Sequence, residues 1–285
     1  MYVLKRISLL FIVVLVVSFD IYGQNNWSIN SSLQYASGNY LSTERLNSLY
    51  LYGGVRYDAY NYSVAFSIPV IASNGQNVSQ FGNIIIPNHM GSGTSGMGDP
   101  GGPGGGHMMG GQNSSSISTS SEYFGIGDLY LYGNYDLLNQ FSSPVGLSLS
   151  GYIKFPTAST ANGFGTGKFD FSLSTTIRQS VDSYLFYISG GYIFFGNPEG
   201  IVYNNPYTLN LGVGKFFGEG SVSALLNYSL YSKIVDAYQS PQQLSLGINI
   251  ISNEKITYIF IGSAGLTNSS PDYVFSAGLK YNLGG

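Results

Sequence analysis

The 285-residue chain contains no cysteine. That excludes disulfides, a lipid-modified cysteine anchor and any thiolate metal site. Charge is also scarce: Asp, Glu, Lys and Arg together make up 9% of the residues, about a third of the usual share for a soluble domain. A surface so poor in charge is sticky in water and suits lipid. The formal net charge of −3 offers no basic face, so no nucleic-acid partner is expected. Histidine occurs only twice, and neither copy falls in a patterned segment. The usual general base is therefore missing, and no Ser-Lys pair is marked. The chain reads as a non-enzyme. Past its N-terminal leader, no apolar run approaches the roughly 18 residues that suggest a membrane-spanning helix.

The leader itself is well formed. Lys5-Arg6 precede an apolar run from Leu9 to Val17, and Gly23 stands just before Gln24. A basic start, a short apolar core and a small residue at the junction describe a signal peptide over residues 1–23. The core is too short to span a bilayer as a helix.

Aromatic residues are plentiful, 15% of the chain with 25 tyrosines, and they sit in segments of period two. The last segment shows the pattern most plainly. Tyr273, Phe275, Ala277, Leu279, Tyr281 and Leu283 fall on one face, and Val274, Ser276, Gly278, Lys280 and Asn282 on the other. Successive side chains of a strand point to opposite faces, so each segment has one oily and one mostly wet side. Such segments are predicted near 26–38, 46–58, 59–71, 124–138, 144–156, 168–180, 184–195, 207–217, 221–232, 242–252, 255–266 and 272–283.

An exported chain without apolar helices enters a membrane only as a closed barrel, because an open sheet edge leaves backbone amides unpaired in hydrocarbon. The predicted fold is therefore all-β: an antiparallel transmembrane β-barrel of twelve strands over residues 24–285, in the outer membrane of a Gram-negative bacterium. Its connections alternate in length, tight after even-numbered strands (Asp58 to Tyr60, Val181 to Ser183) and long after odd-numbered ones (Thr157 to Gly167, Gly196 to Pro206). Short periplasmic turns and long outer loops produce this alternation. Expected partners are membrane lipid and lipopolysaccharide, the barrel-assembly machinery during insertion, and a small-molecule solute.

One outer loop, Ala72 to Glu122, breaks the pattern. Eleven of residues 91–111 are glycine, which leaves no means of building a packed core there. Its strings GSGTSG and GMGDPG match a dinucleotide fingerprint in letters only, since neither follows a strand or opens a helix. Both histidines and every methionine after Met1 lie here: His89, Met90, Met97, His107, Met108 and Met109. Thioethers and imidazoles together suit a soft ion such as Cu(I), though no fixed ligand spacing is present. Two readings stand side by side, a copper-type surface site and a plain glycine-rich loop. No other cofactor is expected.

Strand parity places Arg56, Asp128, Lys154, Lys168, Asp170, Arg178 and Lys280 on the inner wall. Charges there either cross-link the wall or line a path for solute. Five of the seven are basic, a weak bias toward anions in an open lumen.

The segments GIGDLYLYGNYDLL at 125–138 and GYIKFPTASTANGFGTGKFDF at 151–171 combine a Gly-Asp strand opening, a Lys-Phe-Pro-Thr strand end and a glycine-rich loop closing on Gly-Lys and Asp. With SGGYIFFG at 189–196 and GLKYNL at 278–283, this pattern resembles the outer-membrane transporters of the MetA-pathway phenol degradation family. The resemblance implies an outer-membrane barrel that moves small, often aromatic or hydrophobic molecules, and brings no catalytic motif. The function expected from the sequence is thus a passive transporter or channel. Its alternative is a metal-capturing surface protein anchored by the barrel.

Overall fold

The computed structural model describes residues 27–39, 45–75, 78–81, 84–87, 123–138, 144–160, 163–198 and 202–284. Its strands are β1 (Trp27–Gly38), β2 (Leu46–Asp58), β3 (Tyr62–Ser73), β4 (Val78–Phe81), β5 (Ile84–Pro87), β6 (Tyr123–Ile126), β7 (Leu129–Leu138) and β8 (Val145–Phe155). They continue with β9 (Asp170–Val181), β10 (Tyr184–Phe194), β11 (Tyr207–Phe217), β12 (Val222–Tyr231), β13 (Gln242–Ile251), β14 (Ile256–Gly265) and β15 (Tyr273–Asn282). Each strand from β7 to β15 pairs antiparallel with the next; β15 pairs with β1, β1 with β2 and β2 with β3. Because β3 pairs with both β6 and β7, those two are halves of one wall position, and the sheet closes as a twelve-strand barrel. Among the described residues only the short β6 is paired on one side alone, with β3, and each of the other ring strands is paired on both sides, so the ring presents no long open edge, as a lipid-embedded sheet requires.

Alternation sets the orientation of the wall. On β1 and β15, Ile29, Leu33, Tyr35, Phe275, Leu279 and Tyr281 point out and are exposed, while Ser28 and Val274 point in and are buried. Leu51, Phe66, Ile177, Phe186, Leu246 and Phe260 continue the exposed apolar belt around the barrel. This is the inverse of a soluble sandwich, and such a belt is stable only against hydrocarbon. Rings gather at both rims. Trp27 and Tyr57 lie 5.1 Å apart near the end with short turns; Tyr192 and Tyr207, 4.9 Å apart, lie near the end with long loops. Amphipathic rings favour such interfacial positions. Lys215 faces outward beside the short turns with its Nζ 4.9 Å from the Tyr184 ring centroid and donating to the Tyr184 hydroxyl at 3.0 Å, so its stem lies on the oily face while its charge reaches the rim.

The short turns explain themselves locally. Gly218, Glu219 and Gly220 all have positive φ (54°, 56° and 92°), and glycine fills two of these three left-handed positions at no steric cost.

Three details depart from the sequence expectation. The third strand starts at Tyr62, leaving Tyr60 exposed in the turn. The fourth predicted segment is interrupted: Gly127 and Asp128 form a bulge opposite Pro69, where the Gly127 amide donates to the Pro69 carbonyl at 2.8 Å. The extra residue shifts the parity, so Phe124 and Ile126 face outward together with Leu129 and Leu131; a bulge does this wherever one strand carries a residue its neighbour lacks. Within the long loop, β4 and β5 pair as a short hairpin, with Val78 opposite Pro87. The signal peptide expected over residues 1–23 lies outside the described residues.

Candidate functional site

The lumen is built differently at its two ends. At the short-turn end the inner wall carries ion pairs, one within β2 and two between strands, that remain wet. Arg56 Nε lies 2.6 Å from Asp58 Oδ1, Lys280 Nζ lies 3.3 Å from Asp58 Oδ2, and Arg178 Nη2 lies 2.8 Å from Asp136 Oδ1. The side chains of Arg56, Asp58 and Lys280 are 42%, 35% and 29% exposed. Pairs this exposed contribute little to stability; they keep charges of both signs on a water-filled wall.

At the long-loop end the wall is dry. Lys154 Nζ sits 2.6 Å from Asp170 Oδ2 and 3.3 Å from Asp128 Oδ2, and all three side chains are 4% exposed or less. Lys154 also donates to Thr166 Oγ1 at 2.9 Å. The free oxygens of the two carboxylates accept backbone amides, Asp128 from Ala158 and Asp170 from Gly196, each at 2.9 Å. A charge cluster this deep persists only if every member is paired and hydrogen-bonded, and here each partner comes from a different piece of chain. The cluster ties the bulge between β6 and β7, the end of β8, the start of β9 and the connection after β10 to the loop that joins β8 and β9.

That loop crosses the mouth. Pro156 ends β8, and the chain then carries Ala158 and Phe164 into one buried cluster with Ala36, Tyr50, Ile71 and Val274, which come from β1, β2, β3 and β15. The room for the ring is made on β6: a Cβ on Gly125 would stand 2.7 Å from the Phe164 ring. A second buried cluster joins Ile193 and Phe195 to Tyr203, Ile234 and Val235, so the loops after β10 and β12 fold inward too. They are fastened to each other where Asn204 N donates to the Ile234 carbonyl at 2.7 Å and Asn204 Nδ2 to Asp236 at 2.6 Å. Burial raises the pKa of the loop tyrosine Tyr203, and the Asp170 carboxylate adds to the rise.

Between the dry mouth and the wet end lies a cavity of about 540 Å³. Tyr132, Tyr152 and Tyr231 line it together with Asn134, Arg56 and Arg178. The tyrosines touch one another: the Tyr130 and Tyr132 rings stack with centroids 5.8 Å apart, and Tyr152 lies 5.8 Å from Tyr132.

The residues that parity assigned to the inner wall therefore separate into groups. Asp128, Lys154 and Asp170 meet in the buried cluster; Arg56, Arg178 and Lys280 lie toward the short-turn end. Lys168 is a correction: β9 begins only at Asp170, and Lys168 stands exposed on the loop ahead of it, outside the ladder that gives parity its meaning. The six candidate metal ligands His89, Met90, Met97, His107, Met108 and Met109 lie outside the described residues. Among the described residues, no cluster of three or more His, Asp or Glu side chains is placed to hold a metal ion. Sequence reasoning left out Asp58 and Asp136, although both share the inner parity and could have been found by it. It also left out Thr166 and Phe164, which look like ordinary residues of a glycine-rich loop. The two segments that carry the family resemblance are the ones that converge here: Asp128 comes from the first, and Lys154, Phe164, Thr166 and Asp170 from the second.

No family model and no curated relative matches the chain. Among solved structures it is similar to an outer membrane channel from Pseudomonas putida F1, with a TM-score of 0.58 and 10% identity over 93% of this chain and 97% of that one. It is also similar to the NanC porin, with a TM-score of 0.52 and 10% identity over 90% and 100% of the two chains, and to the KdgM porin, at 0.50 and 8% over 89% and 98%. At these identities the likeness defines a fold, the closed antiparallel barrel that those outer-membrane channels and porins share.

Proposed function

We propose that the chain is an outer-membrane barrel that conducts small solutes passively, with the long loops facing the cell exterior and the loop between β8 and β9 forming its constriction. The observation that carries this reading is the cavity of about 540 Å³ inside a closed barrel, lined toward one end by the partly exposed Arg56 and Arg178 and narrowed toward the other by the inward-packed Phe164. A purely structural barrel has no need of a lined hollow. The signal peptide expected over residues 1–23, the channel-like fold and the resemblance to the MetA-pathway transporters support the same reading, and the last of these favours small aromatic or hydrophobic cargo.

The test is conductance across a planar bilayer. The intact protein is expected to give small, discrete openings. Phe164→Gly, which removes the ring from the Gly125 seat, is expected to raise the conductance several-fold. Silence in both proteins, with both shown to be folded, would reject a channel.

A further inference from the structure

The charges of the central cavity are arranged asymmetrically. Arg56 and Arg178 line it; their partners Asp58 and Asp136, and Lys280, do not. Arg56 uses Nε for Asp58 at 2.6 Å and Nη2 for Ser63 at 3.0 Å, which leaves Nη1 without a partner among the described residues. Asp136 is held from a second direction by Asn134 Nδ2 at 3.3 Å. The cavity thus meets hydrogen-bond donors of positive charge and no carboxylate.

The tyrosines stand beside those donors. Arg56 pairs with Ala65, Ala65 with Tyr132, and Tyr132 with Tyr152, a single row running across β2, β3, β7 and β8. A solute lying along this row has a guanidinium at one end and aromatic faces at the other. Guanidinium binds carboxylate through a planar fork, and aromatic walls with a few convergent polar groups are the usual make-up of a small-molecule site.

We infer that the cavity is a binding site for a small organic monoanion, a carboxylate held by Arg56 and Arg178 with its apolar body against Tyr132, Tyr152 and Tyr231. This rests on the channel reading, and it names the class of solute that would pause in the lumen. A neutral solute of equal size gains the tyrosine contacts but forfeits the charge-assisted hydrogen bonds.

Benzoate and its neutral counterpart benzyl alcohol are suitable probes, titrated calorimetrically into the full chain folded in detergent. Benzoate is expected to bind saturably and at least about tenfold more tightly than benzyl alcohol, since a hydrogen bond to a charged group is worth about 1.5–3 kcal/mol. Arg56→Gln and Arg178→Gln should each weaken benzoate binding about tenfold by the same reasoning, leave benzyl alcohol unchanged, and keep the folded-barrel gel shift. Arg56→Lys, which retains the charge, is the control and should recover part of the loss. Equal binding of the two probes, no saturable binding of benzoate, or benzoate binding indifferent to both glutamine variants would overturn the assignment. Conductance without benzoate binding would discard the site and keep the channel; benzoate binding without conductance would do the opposite.

Discussion

Replacing Lys154 with methionine is expected to destabilise the folded barrel by about 3–5 kcal/mol, the range seen when one partner of a buried ion pair is removed. Methionine matches the length of the lysine stem, so little packing is lost. What is lost is the only cation, among the described residues, paired with Asp128 and Asp170, whose side chains are 4% and 1% exposed. Water has no access through which to replace it, and the Thr166 contact disappears at the same time. Urea unfolding in detergent micelles measures the effect. A companion variant sharpens it: adding Asp170→Asn to Lys154→Met removes one of the two orphaned charges and should restore part of the stability. Because the cluster also fastens the crossing loop, Lys154→Met should raise channel conductance in the same direction as Phe164→Gly. A loss below about 1 kcal/mol, the level of a surface pair, would mean that the cluster is solvated in the working protein.

Leu33→Arg is expected to cost about 2–4 kcal/mol, the price of a basic side chain near the bilayer midplane of a barrel, while Gln34→Arg, one residue on, should cost only about 0.5 kcal/mol, as at an ordinary solvated position, because its side chain points to the lumen. Leu33 lies mid-strand, opposite Ala277 on one side and Leu51 on the other, and its side chain is exposed on the outer belt. Gln34 is opposite Ser276 and Tyr50 on the inner face. The two positions share a strand, the same flanking strands and nearly the same depth, so the difference isolates the direction in which the side chain points. Equal costs in lipid vesicles would show that the outer face is not in hydrocarbon.

Much of the barrel was legible because its evidence is local. Each strand announces itself by a period of two, and boundaries such as 46–58 and 207–217 agree with β2 and β11. Gly127 and Asp128 mark the limit of that method. Alternation counts residues, and a bulge adds one without changing the composition, so Phe124 and Ile126 change face unannounced. The candidate site was legible only as a parity list. Asp128, Lys154 and Asp170 could each be placed inside, but nothing in their spacing says that one lysine serves both acids. Phe164 was hidden altogether, since a lone ring among glycines looks exposed until Gly125 and the inner residues of four strands close around it.

The sequence by itself determined that this chain forms a closed barrel with an apolar exterior, because strand periodicity and the absence of apolar helices are properties of neighbouring residues and leave a membrane no other way to satisfy the backbone. Whether the lumen is open was decided only by the tertiary structure. The mouth is filled by contacts such as Phe164 with Ala36 and Val274 in one cluster, joining parts of the chain that periodicity treats as independent. They meet because the sheet curves shut and brings distant loops over one opening.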